Sequence, residues 1–172
     1  TKGGLQDVLR SLQVRIEDHT STVVFTALLV VHALMQCNSR TAVFSYLAGD
    51  PSALRLKRVA TLGLVEYTYS KLLKRYAQYL EFRIQAFKEI GYDVSYAGKR
   101  DQFARLRKLS VNKGLLREIA LIQRVTKAIL ECTFFIEEPQ DELIIYALEM
   151  IIKDLLSYYM GMNEGIINML EH

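Results

Sequence analysis

Apolar residues recur at intervals of three and four along most of this chain, the spacing that places side chains on one face of an α-helix. The pattern predicts a first helix over 5–16 with a single apolar stripe. The next predicted helix, 23–37, is apolar on nearly all sides and keeps only a thin polar edge. Because a helix without a broad polar face has no side suited to solvent, we expect 23–37 to be the central helix of the fold.

Three longer segments repeat this spacing, each with a polar face opposite the apolar one. They cover 69–90, 113–131 and 142–159, and a shorter helix is predicted around 43–47. The polar faces of the first two carry mainly lysine and arginine. Recurrent helix pairs joined by short connections indicate an all-α fold, and a series of such pairs is a feature of α-solenoids.

The segments between these helices are predicted to be irregular or interrupted. A short helix is expected over 54–59, and 60–67 is expected to be a loop because its residues favour strand while both neighbours are helical. Residues 91–110 are predicted to be a long basic loop with one helical turn. Gly161 is expected to interrupt the last helix, with Asn163 capping a separate final segment.

The composition fits one compact helical domain. The chain has 172 residues, of which 51% are apolar and only 9 are glycine and 2 are proline, which argues against disorder and a turn-rich β-sandwich. Its longest nearly apolar run, 23–35, is shorter than the roughly 18 to 20 residues of a bilayer-spanning helix. Cys37 and Cys132 show no metal-ligand spacing, so we expect no disulfide or zinc site, and a reducing compartment is the simpler interpretation.

Charge is distributed unevenly along the chain. The formal net charge is only +3, but 55–124 contain 16 basic and 6 acidic residues, whereas 125–172 contain 2 basic and 9 acidic residues. A basic region of this kind favours anionic partners, whether nucleic acid or lipid head groups. The alternative is that the basic and acidic regions face each other in the folded protein.

The cations of the predicted loop form the candidate membrane-facing surface. Such side chains suit a diffuse attraction to an anionic leaflet rather than a shaped pocket. Lys71, Lys74 and Arg75 of the preceding helix are candidates to extend it. The residues of this predicted surface are Lys99, Arg100, Arg105, Arg107 and Lys108.

The sequence carries no recognisable enzyme motif. It has no glycine-rich phosphate loop, no G-x-S-x-G elbow and no HExxH helix. His32 lies in the most apolar helix and is expected to be a packed, hydrogen-bonded core histidine. The acids around 137–142 suit the start of a helix, where the helix dipole favours negative charge. We therefore expect no enzymatic activity, no bound metal and no cofactor.

Nucleic-acid binding is the third functional class to consider. Ten tyrosines beside basic residues would suit stacking on single-stranded nucleic acid. Tyr69 and Tyr76, however, lie on an apolar stripe where core packing explains them, and no RNP or helix-turn-helix signature accompanies the charge. Nucleic acid is accordingly the least favoured partner.

Four stretches of the sequence carry a resemblance to a known family. They are 23–35 (VVFTALLVVHALM), 74–80 (KRYAQYL), 154–158 (DLLSY) and above all 163–171 (NEGIINMLE). In order and spacing they resemble the ANTH domain of the CALM-type endocytic clathrin adaptors, within the ENTH/ANTH superfamily. The resemblance implies a right-handed superhelical solenoid of antiparallel helix pairs.

The resemblance also implies a function. Members of the family bind inner-leaflet membrane rich in phosphatidylinositol 4,5-bisphosphate and help to recruit clathrin, here through regions outside this chain. Some members also bind SNARE proteins. The implied location is cytoplasmic and peripheral, at the plasma membrane and at clathrin-coated pits or vesicles.

The sequence departs from the family pattern at the lipid site. In the family, a lysine and a following Lys/His cluster on the first helices hold the head group, upstream of the segment that resembles 5–16 here. Lys2 is the only charge before Asp7, so no family lipid ligand is assigned to this chain, and the cluster is expected upstream of Thr1. Residues 1–172 are expected to be the central part of a single ANTH-like helical domain, without its first and C-terminal helices.

Two functional hypotheses follow from this resemblance. The first is a phosphoinositide-binding clathrin adaptor module that acts in clathrin-mediated endocytosis and vesicle coat assembly. The alternative is a helical scaffold that binds a partner peptide or SNARE helix without direct lipid recognition.

Overall fold

The computed structural model describes residues 2–50, 52–56, 64–95, 101–134 and 142–171, and the regular elements of these residues are all helical. The predicted all-α fold class is therefore confirmed. A single turn of 3₁₀ helix precedes the sixth α-helix. The α-helices of the described residues are α1 (Lys2–Ile16), α2 (Ser21–Gln36), α3 (Arg40–Ala48), α4 (Leu64–Ile90), α5 (Asp101–Lys108), α6 (Leu115–Leu130) and α7 (Glu142–Glu171).

Helix α2 lies at the centre of the fold. It packs against α1, α3, α4 and α7, and Phe25, Leu28 and Met35 are completely buried among these neighbours. The N–H of Thr20 donates a hydrogen bond to Asp18 Oδ1 at 2.9 Å, which orders the turn just before the helix begins. The prediction of a central helix is therefore correct, and its nearly continuous apolar surface is explained by its four neighbours.

Helices α4 and α6 form an antiparallel pair, and α6 in turn packs on α7. Arg75, in the first half of α4, forms an ion pair with Glu131, just after the end of α6 (2.7 Å). Glu89, near the end of α4, meets Arg117 at the start of α6 (3.4 Å). These two contacts fix the register of the pair. The right-handed superhelical arrangement of the helix pairs stays a prediction.

Two glycines adopt backbone conformations that side chains disfavour. Gly91 has φ 79° and its N–H donates to the carbonyl of Phe87 at 2.8 Å, which terminates α4. Gly114 has φ 106° and lies between the 3₁₀ turn and α6. Both positions are in the left-handed region, where glycine avoids the steric cost of a Cβ atom.

The start of α4 differs from the sequence prediction. Residues 64–67, predicted as part of a loop, form the first turn of α4, so that part of the prediction is wrong. Intrinsic strand preference is a weak determinant that a growing helix overrides. The short helix predicted over 54–59 is also wrong where it is described, because Leu54 ends a turn and the next two residues are not helical. The rest of 54–63 lies outside the described residues.

Two further interruptions were predicted wrongly. Within the predicted loop 91–110, α5 forms two helical turns, and Leu106 is buried in the core. Helix α7 runs through Gly161 without a break. A glycine inside a helix costs only about 1 kcal/mol relative to alanine, which burial against neighbouring elements offsets. At Gly165 a Cβ atom would lie 3.0 Å from Ile119, so α6 and α7 approach closely there.

Membrane-spanning helices and metal-binding groups are both absent from the residues that the structure describes. None of these helices combines the length and hydropathy needed to cross a bilayer. Within the same residues, no three His, Cys, Asp or Glu side chains are grouped so as to hold a metal ion. Cys37 and Cys132 are both free thiols, and burial raises the pKa of the Cys132 thiol to about 12.

Candidate functional site

The sequence-predicted basic surface is described only in part. Lys99 and Arg100 lie outside the described residues, whereas Arg105, Arg107 and Lys108 lie on the last turn of α5. All three are exposed to solvent. The structure therefore places the three described cations together on one short helix.

Arg105 is engaged with the body of the protein. Its guanidinium donates to Glu118 Oε1 at 2.6 Å and lies 4.7 Å from the centre of the Tyr92 ring. The hydroxyl of Tyr92 donates to the second oxygen of the same carboxylate at 2.6 Å. Burial and the hydrogen bond to Glu118 raise the pKa of Tyr92, and Glu118 also raises the pKa of Arg105. Much of the charge of Arg105 is thus balanced locally.

The remaining contacts attach α5 to α7. Arg107 Nε lies 3.2 Å from Glu164 Oε2, and the buried Asn168 donates from Nδ2 to the carbonyls of Leu106 and Leu109, each at 2.7 Å. Leu106 belongs to the last turn of α5 and Leu109 directly follows the helix, where backbone carbonyls lack partners within the helix. Asn168 lies in the NEGIINMLE stretch, so this stretch has a structural role in holding the basic helix.

The largest polar feature of the interior is a cluster around Asp154 of α7. Asp154 Oδ2 accepts hydrogen bonds from His32 Nε2 at 2.7 Å, from Arg83 Nη1 at 2.5 Å and from the hydroxyl of Tyr79. Asp154 Oδ1 accepts a further bond from Gln36 Nε2 at 2.9 Å. This one carboxylate therefore joins α2, α4 and α7.

Arg83 extends the cluster to the segment after α4. Its Nη2 donates to Asp93 Oδ2 at 2.8 Å and to Ser95 Oγ at 2.6 Å. The second ring nitrogen of His32 lies 2.6 Å from the hydroxyl of Tyr76. The prediction that His32 is packed and partnered within the core is confirmed. The sequence analysis did not identify Arg83 and Asp93 as members of a buried cluster. The position of Arg83, in line with the buried stripe of α4, was the one feature of the sequence that indicated its burial.

Burial and pairing set the protonation states of the cluster. Burial alone would raise the pKa of Asp154, but Arg83, His32 and Tyr79 together lower it to about 2. Burial lowers the pKa of His32 despite the adjacent carboxylate, so the ring is neutral near pH 7. The neutral ring then donates from Nε2 to Asp154 and accepts at Nδ1 from Tyr76.

The cluster holds helices together and is not accessible to a substrate. His32 is 0% exposed and Asp154 is 2% exposed, so the His–Asp pair has no open side.

Three ion pairs show how the basic middle of the chain lies relative to its acidic end. They are Arg83–Asp154, Arg75–Glu131 and Arg107–Glu164, and each joins the two regions. The two regions therefore face each other in part.

A second basic region lies on the outer side of the α4/α6 pair. We call this region the α4/α6 basic face. Its cations are exposed except for Arg75, which is half-buried. Two exposed leucines, Leu116 and Leu130, lie on the outer row of α6. The residues of the α4/α6 basic face are Lys71, Lys74, Arg75, Arg124 and Lys127.

The two basic regions are separate. Arg105 contacts Glu118, at the start of α6, whereas Arg75 contacts Glu131, just beyond its end. At 1.5 Å per residue these two acids are about 20 Å apart along the helix. Lys71, Lys74 and Arg75 therefore do not extend the described part of the surface on α5.

Helix α7 exposes a row of apolar side chains on its outer side. The row follows the three-and-four spacing of one helix face, and Leu156 and Leu170 are 58% and 80% exposed. Such a row is apolar surface that no described element covers. Its residues are Ile152, Leu156, Tyr159, Met160, Ile167 and Leu170.

Comparison with known proteins gives consistent results across the chain. A family model described as "ANTH domain" matches residues 2–172. An ENTH domain-containing protein of Schizosaccharomyces pombe is 26% identical over 98% of this chain. Clathrin coat assembly protein AP180B of Saccharomyces cerevisiae is 24% identical over 98% of the chain, and the human phosphatidylinositol-binding clathrin assembly protein is 28% identical over 94%.

These relatives are much longer than the chain. The chain spans 25% of the S. pombe protein, 30% of AP180B and 24% of the human protein. The similarity thus concerns one region of each relative.

Proposed function

This chain belongs to the ANTH domain family, and on that premise we propose that it is the membrane-recruiting helical module of a clathrin adaptor acting in endocytosis. The observation that carries the proposal is the family match over residues 2–172, which covers all the described helices. The function is non-enzymatic. It consists in placing a protein at phosphoinositide-containing membrane where clathrin assembles.

The names of two relatives support this function. AP180B is called a clathrin coat assembly protein, and the human relative is called a phosphatidylinositol-binding clathrin assembly protein. The chain has no counterpart of the family's lysine and Lys/His cluster, because Lys2 is the only cation before Arg10. We therefore assign to residues 1–172 a general attraction to anionic lipid. Head-group selectivity and clathrin binding are assigned to other parts of the adaptor.

Localisation in cells tests the proposed function. The protein bearing this chain, tagged with a fluorophore, should form puncta at the plasma membrane that coincide with clathrin light chain. Recruiting a phosphatase that removes phosphatidylinositol 4,5-bisphosphate should disperse the puncta, and a catalytically dead phosphatase should leave them in place. Diffuse fluorescence, or puncta that never coincide with clathrin, would contradict the proposal.

A second candidate function, docking of a partner helix, is favoured by the apolar row of α7. From Ile152 to Leu170 the row is about 27 Å long at 1.5 Å per residue and one side chain wide. These are the dimensions of the contact row of a single amphipathic helix. The partner would be a helical segment with its own leucine-type row, as in the SNARE alternative.

Titration with a leucine-rich amphipathic helical peptide tests this second function. Binding should be lost in Leu156→Glu, which places a charge in the row, and kept in Lys153→Glu, an exposed neighbour on the same helix. Equal binding by both variants would show that the row is not the docking surface.

A further inference from the structure

We propose that the α4/α6 basic face lies against the anionic lipid leaflet, with the cations at the head groups and Leu130 inserted among the acyl chains. The inference rests on the proposed function and adds to it the face of the molecule that approaches the membrane. This face is distinct from the surface on α5, whose described arginines contact acids of α6 and α7.

The charge of the face is the first argument. Its five cations are opposed by Glu131, which forms an ion pair with Arg75. The one acid within α6, Glu118, is buried and faces the other way, toward Arg105 and Tyr92. The outward row of α6 therefore presents cations without an exposed acid between residues 115 and 130. Such a surface attracts an anionic leaflet at any orientation of the individual lysines.

The arrangement of the two helices is the second argument. Because Arg75 contacts Glu131, Lys74 lies near the last turn of α6, and Lys127 belongs to that last turn. Antiparallel packing keeps the two rows of cations side by side on rigid elements. Several cations can thus contact one flat surface at the same time. A single helix on a curved domain would bring fewer cations into contact with that surface.

The exposed leucines are the third argument, and they decide the class of partner. Leu130 is 68% exposed and Leu116 is 50% exposed, at the two ends of the outward row of α6. Leucine beside lysine and arginine is the pattern of helices that lie at a membrane interface, with apolar side chains below the head groups. Nucleic-acid interfaces are mainly polar and give an exposed leucine no comparable site. The combination favours a lipid surface.

Charge reversal tests the electrostatic part. Lys74→Glu/Lys127→Glu changes the α4/α6 basic face, and Lys113→Glu/Lys153→Glu makes the same change in net charge at exposed positions outside both basic surfaces. We expect sedimentation with phosphatidylserine vesicles at low salt to fall about tenfold or more in the first variant, since each cation near the leaflet adds to binding. The control should change by about twofold or less. Circular dichroism verifies that both variants remain helical.

A tryptophan probe tests the insertion. The chain contains no tryptophan, so Leu130→Trp and Leu156→Trp each introduce a single reporter on α6 and α7. With phosphatidylserine vesicles the emission of the Leu130→Trp protein should shift to shorter wavelength, and that of Leu156→Trp should not. A shift in Leu156→Trp alone would identify the apolar row of α7 as the membrane face and overturn the inference.

The other outcomes are equally decisive. Equal loss in the two double variants would mean that net charge alone governs binding, and absence of vesicle binding by the native chain would mean that the face does not bind lipid; either result overturns the inference. The inference would also be overturned if the α4/α6 basic face bound RNA or polyglutamate and did not bind vesicles. The proposed function is judged separately by localisation at clathrin, so it can stand when the lipid face fails.

Discussion

Asp154 is stabilised as an anion by several donors at once, although it lies in the interior. Water would solvate an exposed carboxylate, and here Arg83, His32 and Tyr79 replace that solvation. Removing one partner of such a cluster leaves the others buried and unpaired, which costs more than the pair itself contributes. The stability of the α2, α4 and α7 assembly therefore depends on this residue.

The first prediction concerns Asp154→Ala. We expect the free energy of unfolding to fall by about 3 to 5 kcal/mol, because Arg83 keeps its charge and loses one of its two carboxylate partners. Urea denaturation monitored by circular dichroism measures this value. Glu149→Ala, at an exposed position on the same helix, is the control and should change it by less than about 0.5 kcal/mol. Similar effects for the two variants would contradict the role of the cluster.

The second prediction concerns the dependence of stability on pH. Burial lowers the pKa of His32 in the folded protein, so the unfolded chain binds a proton more readily and stability must fall as the pH decreases below about 6.5. Asp154, with its pKa lowered to about 2, adds a second loss as the pH falls from about 4 to 2. Melts between pH 7 and pH 5 measure the first loss, to be compared with His32→Gln. An unchanged slope in that variant would exclude His32 as its source.

For single residues, burial could be predicted from the sequence, but hydrogen-bond partners could not. His32 could be predicted as a core residue because its neighbours are all apolar, but its partners Tyr76 and Asp154 are 44 and 122 positions away. Arg83 reads locally as one more cation of a basic helix. Its place in line with the buried stripe of α4 hints that it faces inward, but only the fold reveals Asp93 and Asp154, the two carboxylates that compensate its burial.

Helix α2 is enclosed by four other helices, so its buried side chains have little space in which to rearrange. The third prediction is that Leu28→Ala lowers the free energy of unfolding by about 2 to 5 kcal/mol, since a completely enclosed leucine leaves a cavity. Val30→Ala on the same helix, at a partly exposed position, should cost clearly less. Thermal and urea melts compare the two variants. A smaller loss in Leu28→Ala than in Val30→Ala would contradict the central position of α2.

Helix α5 depends on another helix for its order. Eight residues are too few for a stable helix on their own, and its last carbonyls are satisfied by Asn168 of α7. The fourth prediction is that Asn168→Ala accelerates hydrogen exchange of the α5 amides while the amides of α2 keep their protection. Asn163→Ala, on the same helix, is the control. Unchanged exchange in α5 would show that Asn168 does not maintain it.

The contrast between these helices explains which elements could be predicted. Helices α2, α4, α6 and α7 bury long stripes, so the apolar spacing identifies them apart from their ends and from the break that was wrongly expected at Gly161 of α7. The sequence predicts only one helical turn in the loop 91–110, because the support of α5 comes from a residue about 60 positions away. The candidate site could be predicted only in part for the same reason. The sequence identifies the cations of α5, but their contacts with Glu118 and Glu164 depend on how the helices pack.

For the whole molecule, the charges act together as a diffuse field. Each basic residue near an anionic leaflet contributes at most about 1 kcal/mol. Three or four effective contacts give about 3 to 4 kcal/mol, close to millimolar affinity. An attraction without a shaped pocket depends on the amount of charge and is screened once the Debye length falls to about 8 Å.

The fifth prediction follows from this estimate. Residues 1–172 should sediment weakly with phosphatidylserine vesicles and with phosphatidylinositol 4,5-bisphosphate vesicles of matched charge, without preference, and binding should fall steeply with salt. Co-sedimentation over a salt series measures both properties. Tight, salt-resistant binding that selects the bisphosphate would show a lipid site among residues assigned here to solvated surface.

The position of Asp154 has a consequence for synthesis on the ribosome. His32, Arg83 and their tyrosines emerge well before the carboxylate that pairs with them, since Asp154 follows Arg83 by 71 residues and His32 by 122. A nascent chain that ends before α7 can form helices, but burying them would leave a guanidinium and an imidazole without their shared acceptor. We therefore expect α2 and α4 to stay loosely packed against each other until α7 has left the exit tunnel.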